Sequence, residues 1–213
     1  MSSLFHAGHQ LRGVVDEHCY AKIAFSEMTA QEVVHIVRLL DQHNIEVWVD
    51  GGWGVDALLG KQTRNHADLD IAIKHADVPT ARRILEERGY RDVPREDTKD
   101  WNFVLGDQAG HLLDVHSFTF DDAGKCIYGC AYPADSLAGS GVIAGQRVKC
   151  ISAEWMVEFH SGYVLDASDY RDVLALCNAF GISLPAEYDR VRGHGPISEN
   201  TKAESLIASR KKG

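Results

Sequence analysis

The chain lacks several things, and each absence excludes a class of protein. No apolar run reaches membrane-spanning length, and the opening MSSLFHAGHQLRG has no apolar core of the signal-peptide kind, so a cytoplasmic protein is expected. Excess positive charge is missing too: the formal charge is -9, whereas coating a nucleic-acid backbone needs clustered cations. There is no paired-cysteine framework. Cys19, Cys126, Cys130, Cys150 and Cys177 are odd in number and scattered, and nothing near Cys126 and Cys130 completes a zinc set. They read as thiols of a reducing compartment. No internal repeat is visible. What remains is a chain of 213 residues, 45% hydrophobic, long enough to bury a sizeable core in one domain with at most a small appendage.

The informative stretch runs from Val47 to Ile73, VWVDGGWGVDALLGKQTRNHADLDIAI. Val47, Trp48 and Val49 make an apolar run that Asp50-Gly51-Gly52 breaks. Trp53 to Leu59 has helical spacing, and Gly60 is placed to end that helix. Asp68 to Ile73 alternates polar and apolar residues, the period of a half-buried strand, which puts Asp68 and Asp70 on one face.

The flanks are legible as well. Thr29-Ala-Gln-Glu32 is a capping box ahead of Val33, Val34, Ile36, Val37, Leu39 and Leu40, which predicts an amphipathic helix ending near His43. Val78 to Arg88 reads as a second helix closed by Gly89, and Tyr90 to Val93 as a short strand. Trp101 to Leu105 and Leu112 to Phe118 read as a hairpin. Asp121 to Gly141, rich in Gly, Asp and Ser, reads as irregular loop. Gly141 to Cys150 reads as a small hairpin turning at Ala144-Gly145. Ser152 is expected to cap a helix from Ala153 to about Tyr163, and Ser168 another from Asp169 to Phe180. A short helix is expected near Ala186 to Val191. Leu11 to Phe25 has the pattern of a further helix, and His6 and His9 are terminal histidines at loose spacing. The resulting division is an extension over 1–28, a mixed strand-helix core over 29–151, a helical part over 152–192 and a polar tail over 193–213.

The chemistry follows from residue types. Two carboxylates side by side on a strand repel each other, and either water on a solvated strand face or a divalent cation relieves that repulsion. Asp114 interrupts an apolar strand and needs a partner there, either an Arg or His within the core or, in the preferred reading, one cation that serves Asp68, Asp70 and Asp114 together. The Gly51-Gly52 turn offers bare backbone amides for phosphate. A metal-dependent phosphohydrolase shares clustered acids but has no necessary use for the glycine turn. A non-catalytic nucleotide-binding protein would not need all three acids. His66 and His116 flank the acids and read equally well as structural residues or as partners of the acids.

With these residues assembled, the chain resembles the nucleotidyltransferase superfamily that shares its core with DNA polymerase beta: Gly51-Gly52, then Asp68-Leu69-Asp70, then Asp114. Asp50-Gly-Gly-Trp-Gly-Val-Asp56 with Thr63-Arg64-x-His66-x-Asp68-x-Asp70 resembles its antibiotic-modifying branch, the lincosamide nucleotidyltransferases and aminoglycoside adenylyltransferases. Phe159-His-Ser-Gly-Tyr163 and Asp169-Tyr-Arg-Asp172 resemble the lincosamide members. Trp53 stands where many superfamily members have Ser. The resemblance covers roughly Thr29 to Tyr188. It implies an α+β fold with a twisted mixed sheet flanked by helices and a C-terminal helical part. It also implies transfer of a nucleoside monophosphate, AMP from ATP, to a small-molecule hydroxyl, with release of pyrophosphate. Two magnesium ions on Asp68, Asp70 and Asp114 would stabilise the attacking and leaving oxygens. Gly51, Gly52 and Arg64 would hold the nucleotide, and Asp114 would also help remove the acceptor proton. A lincosamide is the favoured acceptor, against Tyr128, Tyr132 and Tyr163, with an aminoglycoside as the alternative.

Overall fold

The computed structural model describes residues 26–161, 167–186 and 188. At its centre, β1 (Val47–Asp50) and β2 (Asp68–Lys74) pair antiparallel, and β5 (Leu112–Phe120) lies parallel to β2 on the other side. β3 (Arg91–Asp92) and β4 (Asn102–Gly106) continue outward from β5. β6 (Cys126–Gly129) pairs with the end of β5. β7 (Gly139–Ile143) and β8 (Gln146–Cys150) form a hairpin whose second strand runs parallel to β1. Among the described residues these eight strands make one mixed sheet, ordered β3-β4-β5-β2-β1-β8-β7 with β6 beside β5.

Period two sorts the side chains. Val47, Val49, Leu69, Ile71, Ile73, Leu113 and Val115 fall on one face and pack against α1 (Ala30–Asp41) and α3 (Val78–Glu87) through Val33, Ile36, Leu40, Ile84 and Leu85. Trp48, Ala72 and Phe118 fall on the other. They meet Met156, Val157, Val173 and Leu176 of α4 (Ala153–Phe159) and α5 (Ala167–Phe180). Each fully buried aliphatic side chain contributes about 1.5–3 kcal/mol. Asp50, Asp68, Asp70, Asp114 and His116 have the parity of this second face, beyond its apolar part.

Local chemistry sets the element ends. Thr29 forms both halves of its capping box: its Oγ1 accepts from the Glu32 amide at 3.3 Å, and Glu32 Oε2 accepts from the Thr29 amide at 3.0 Å. α2 (Gly51–Leu59) starts two residues earlier than its apolar pattern suggests, because Asp50 is its N-cap and accepts from the Gly51 amide at 2.8 Å. Gly60, with φ +67°, ends it. Ala144 and Gly145 both have positive φ, the requirement of a two-residue hairpin turn.

Three expectations change. The stretch Asp121 to Gly141 is not irregular throughout. Asp121 Oδ1 accepts from the amides of Ala123 and Lys125 at 3.0 and 2.8 Å, and this tight turn brings β6 back onto β5. A 3-10 turn, Ala134–Ala138, and β7 follow. α4 ends at Phe159, where His160 Nδ1 and Ser161 Oγ fold back on the Met156 and Val157 carbonyls. Ser168 lies inside α5 rather than capping it. The expected helix over Leu11 to Phe25, Tyr163, and most of the expected helix after Ala186 lie outside the described residues.

Candidate active site

The strand registers build the site. Asp70 is opposite Asp114 across the β2–β5 pair and opposite Asp50 across the β1–β2 pair, with Asp68 one repeat away on the same face. Gly51 has φ +56°, and a side chain there would collide with the Asp70 carboxylate, so only glycine brings the start of α2 this close to β2. The Gly51-Gly52 pair is therefore the first turn of α2, and the Gly51 amide is already engaged by Asp50.

The loop from α2 to β2 is tied down separately. Asp56, buried on α2, accepts from the Thr63 amide at 3.0 Å and the Thr63 hydroxyl at 2.5 Å, and its other oxygen lies 2.6 Å from His66 Nε2. Trp53 stacks on the His66 ring at 4.6 Å and is buried, so it serves packing rather than the site face. This loop carries Arg64 to the edge of Gly52, where a Cβ would lie 2.5 Å from Arg64 Nη2. Arg64 does not stand alone: Nη2 and Nε donate to Asp172 Oδ2 of α5 at 2.9 and 3.1 Å.

The charges are unevenly matched. Burial, then the neighbouring Asp68 carboxylate, push Asp70 well above the usual carboxylate range, despite His116. Burial and the Asp114 carboxylate raise Asp68, against Arg95 and Arg64. Asp50 moves the other way: burial opposes its charge, but contact with His116 and Tyr132 outweighs burial and lowers it. Burial likewise disfavours the His116 cation, yet Asp114 and Asp50 hold its pKa well above the ordinary histidine value. His116 Nε2 lies 3.4 Å from Asp114 Oδ1 and its Nδ1 lies 3.2 Å from the Tyr132 hydroxyl, which donates to Asp50 Oδ2 at 2.7 Å. Arg95 Nη1 donates to Asp114 Oδ2 at 3.1 Å.

These groups fit a divalent cation. Donor atoms of Asp70, Asp114 and His116 lie within 4.8 Å of one another. Asp114 Oδ1 is buried and accepts no hydrogen bond. Oxygen donors carrying mutual repulsion suit a hard cation, which would relieve the pressure on Asp70 and Asp68. Asp68 stands outside the closest donor group, and His116 stands within it.

A cavity of about 410 Å³ opens beside the acids, lined by Asp50, Gly51, Asp70 and His116 on one side and Cys130, Ala131, Tyr132, Phe159 and His160 on the other. Tyr132 and Phe159 pack edge to face at 5.7 Å, and Trp155 backs Phe159 at the same spacing. Of the tyrosines singled out from sequence, Tyr132 is in the site. Tyr128 packs on His75 beyond the end of β2 and donates to Asp100. Sequence reasoning missed Asp50, Arg95 and Asp172 as site residues and left His116 open. Asp114-x-His116 on one strand face, Asp50 just before the glycines and the Asp169-to-Asp172 stretch were available signals; nothing local marked Arg95.

The fold and site define a nucleotidyltransferase of the polymerase-beta-like type. A profile of the family described as aminoglycoside-2''-adenylyltransferase matches residues 32–176, and the chain belongs to that family. It is 30% identical over 159 residues to a lincosamide resistance protein of Staphylococcus haemolyticus, covering 70% of this chain and 94% of that protein. It is 31% identical over 134 residues to a 2''-aminoglycoside nucleotidyltransferase of Escherichia coli, covering 62% and 72%. Its fold is similar to that of the lincosamide antibiotic adenylyltransferase LnuA with lincomycin bound, with a TM-score of 0.63 at 28% identity over 74% of this chain and 100% of that one. ANT(2'')-Ia with adenylyl-2''-tobramycin gives 0.59 at 24% identity, over 76% and 92%. Among the described residues no helix is long and apolar enough to cross a membrane.

Proposed function

We propose that this protein transfers AMP from ATP, with magnesium, to a hydroxyl of a lincosamide-type antibiotic in the cytoplasm, releasing pyrophosphate. The observation that carries the reading is the cavity beside Asp50 and Asp70, whose far wall is Cys130, Ala131, Tyr132, Phe159 and His160. An alkyl-bearing acceptor buries apolar area against those rings at roughly 25 cal/mol per Å². A polycationic acceptor would call for carboxylates on that wall. Asp121, Asp122, Asp135, Glu154 and Glu158, the acids otherwise available for it, are not among its lining residues.

Asp68, Asp70 and Asp114 are the residues that would hold magnesium. When bound, it would neutralise them and stabilise charge on the attacking and leaving oxygens. The N-terminus of α2 at Gly52 and the Arg64 guanidinium hold the phosphates by backbone donors and charge. Asp114, opposite Asp70 on β5, takes the acceptor hydroxyl proton. Tyr132 and His116 keep the Asp50 carboxylate fixed beneath the acceptor. Tyr132 and Phe159 orient the acceptor.

An aminoglycoside hydroxyl is the second reading, favoured by the family match and the Escherichia coli relative. A competition between lincomycin and tobramycin at equal concentration, with ATP and magnesium, tests the order by mass of the product. A nucleotidyl increment mainly on lincomycin is expected; an increment mainly on tobramycin reverses the order.

A further inference from the structure

We infer that Asp172, in the middle of α5, is a positioning residue for the nucleotide: it sets the plane of the Arg64 guanidinium over the Gly52 turn. The inference rests on the assignment of Arg64 and Gly52 to the phosphates.

Asp172 is a buried carboxylate, with its side chain 4% exposed, 108 positions along the chain from Arg64. A carboxylate of that burial needs a strong partner. It takes one edge of the guanidinium, Nη2 at 2.9 Å and Nε at 3.1 Å, both on Oδ2, with Oδ1 at 3.4 Å from Nε. Nη1 donates to the Asn65 carbonyl at 3.3 Å. A planar fork held at three of its nitrogens has a fixed plane and a fixed height, which a point charge such as Lys would not have.

The height matters because of what lies beneath. A Cβ at Gly52 would lie 2.5 Å from Arg64 Nη2 and 2.5 Å from His66 Nδ1, so the guanidinium and the imidazole together rest on bare backbone at the second residue of α2. Arg64 nonetheless keeps 27% of its side-chain surface exposed, whereas Asp172 behind it is sealed. The charge is felt in the site, where Arg64 is among the groups that restrain the upward shift of Asp68. A strut serving stability alone would have no need to crowd a glycine at the start of a helix. The arrangement fits a cation whose orientation is imposed from behind and whose front meets an anion. α4 ends in Phe159 and His160 on the cavity wall, so the two C-terminal helices divide the work: α4 faces the acceptor and α5 aims the nucleotide ligand.

The experiment measures ATP binding to the full chain in magnesium by calorimetry, lincomycin and tobramycin binding in parallel, and thermal melting of each variant. Arg64→Ala and Asp172→Asn should each weaken ATP binding about tenfold, and the double variant should be no weaker than Arg64→Ala alone, because both remove one device. Binding of whichever antibiotic the wild type takes should change less than twofold. Asp172→Glu, which keeps the charge, should recover part of the ATP affinity. Arg64→Lys, which keeps the charge but not the fork, should bind ATP nearly as poorly as Arg64→Ala, and this arm holds even where Asp172→Asn melts too low to assay. Wild-type ATP affinity in Asp172→Asn or in Arg64→Lys, beside a loss in Arg64→Ala, overturns the positioning role and leaves the phosphate assignment standing. Wild-type affinity in Arg64→Ala overturns both.

Discussion

Asp70 of β2 stands directly opposite Asp114 of β5 in a parallel ladder, and the two carboxylates share one rung with Asp50 of β1. Three neighbouring strands thus present an acid at the same level, at the end of the sheet where α2 begins. Strands of a ladder lie roughly 5 Å apart, close enough for full ionisation to be costly without a cation between them.

Asp70→Asn should remove transfer activity by at least about a hundredfold, the scale lost when a single charge-stabilising group is deleted. The fold should be as stable as the wild type or more so, since the substitution relieves repulsion from Asp68, Asp114 and Asp50. Paired turnover and melting measurements check this; retained turnover would remove Asp70 from the site. Asp68→Asn should behave likewise.

Stripping divalent cations with a chelator should abolish transfer and also abolish stabilisation by ATP. In magnesium, ATP at a hundred times its dissociation constant should add about 2.7 kcal/mol of stability. A melting curve with and without chelator reads both, and an ATP shift that survives chelation would separate nucleotide binding from the acids.

Phe159→Ala should raise KM for the antibiotic acceptor by an order of magnitude, because a ring lining the cavity is lost. KM for ATP should stay within about twofold. Equal rises in both constants would mean that the wall has collapsed rather than lost a contact.

Asp56→Ala should cost about 3 kcal/mol, or about 6–12 °C in Tm for a domain of this size, because the Thr63 amide, the Thr63 hydroxyl and His66 all lose one buried partner. Thermal melting measures it, and a shift under 2 °C would show that the loop is held elsewhere.

Asp107 gives a pH signature away from the site. Burial opposes its charge, yet hydrogen bonding with the His111 side chain and from the His111 amide holds it below the usual carboxylate range. A folded pKa below the unfolded one stabilises fully above the unfolded value of about 3.9 and is lost as pH falls through the folded value. Asp107→Asn should therefore lower Tm near neutrality and converge on the wild type in strong acid; a constant difference across that range would contradict the sign.

Much of this was legible in the chain because local rules agree with the fold. Thr29 with Glu32, Gly60, Ala144-Gly145 and the alternation through Asp68 to Ile73 each have one cheap conformation. The acids could be grouped because period two and a later polar residue in an apolar strand are visible without contacts. What was hidden is what needs tertiary register. The Arg64–Asp172 and Arg95–Asp114 pairs join a loop to a helix and a loop to a strand, with no shared periodicity. The extent of α2 was misjudged because a glycine pair reads as a turn unless the preceding Asp is recognised as a cap. β6 was missed because its hairpin depends on one Asp side chain, Asp121, rather than on a hydrophobic run.

The parallel pairing of β1 with β8 has a consequence for biosynthesis. The backbone edge of Val47–Asp50 that faces away from β2 finds its partner only in Gln146–Cys150, about a hundred residues later. At ribosomal rates of about 5–20 residues per second that edge waits roughly 5–20 s. During that wait it is a template for pairing with other chains. A nascent chain stalled before Gln146 would carry Asp50, Asp68, Asp70 and Asp114 and still expose that edge, so premature termination in this protein would be a solubility defect as well as a catalytic one.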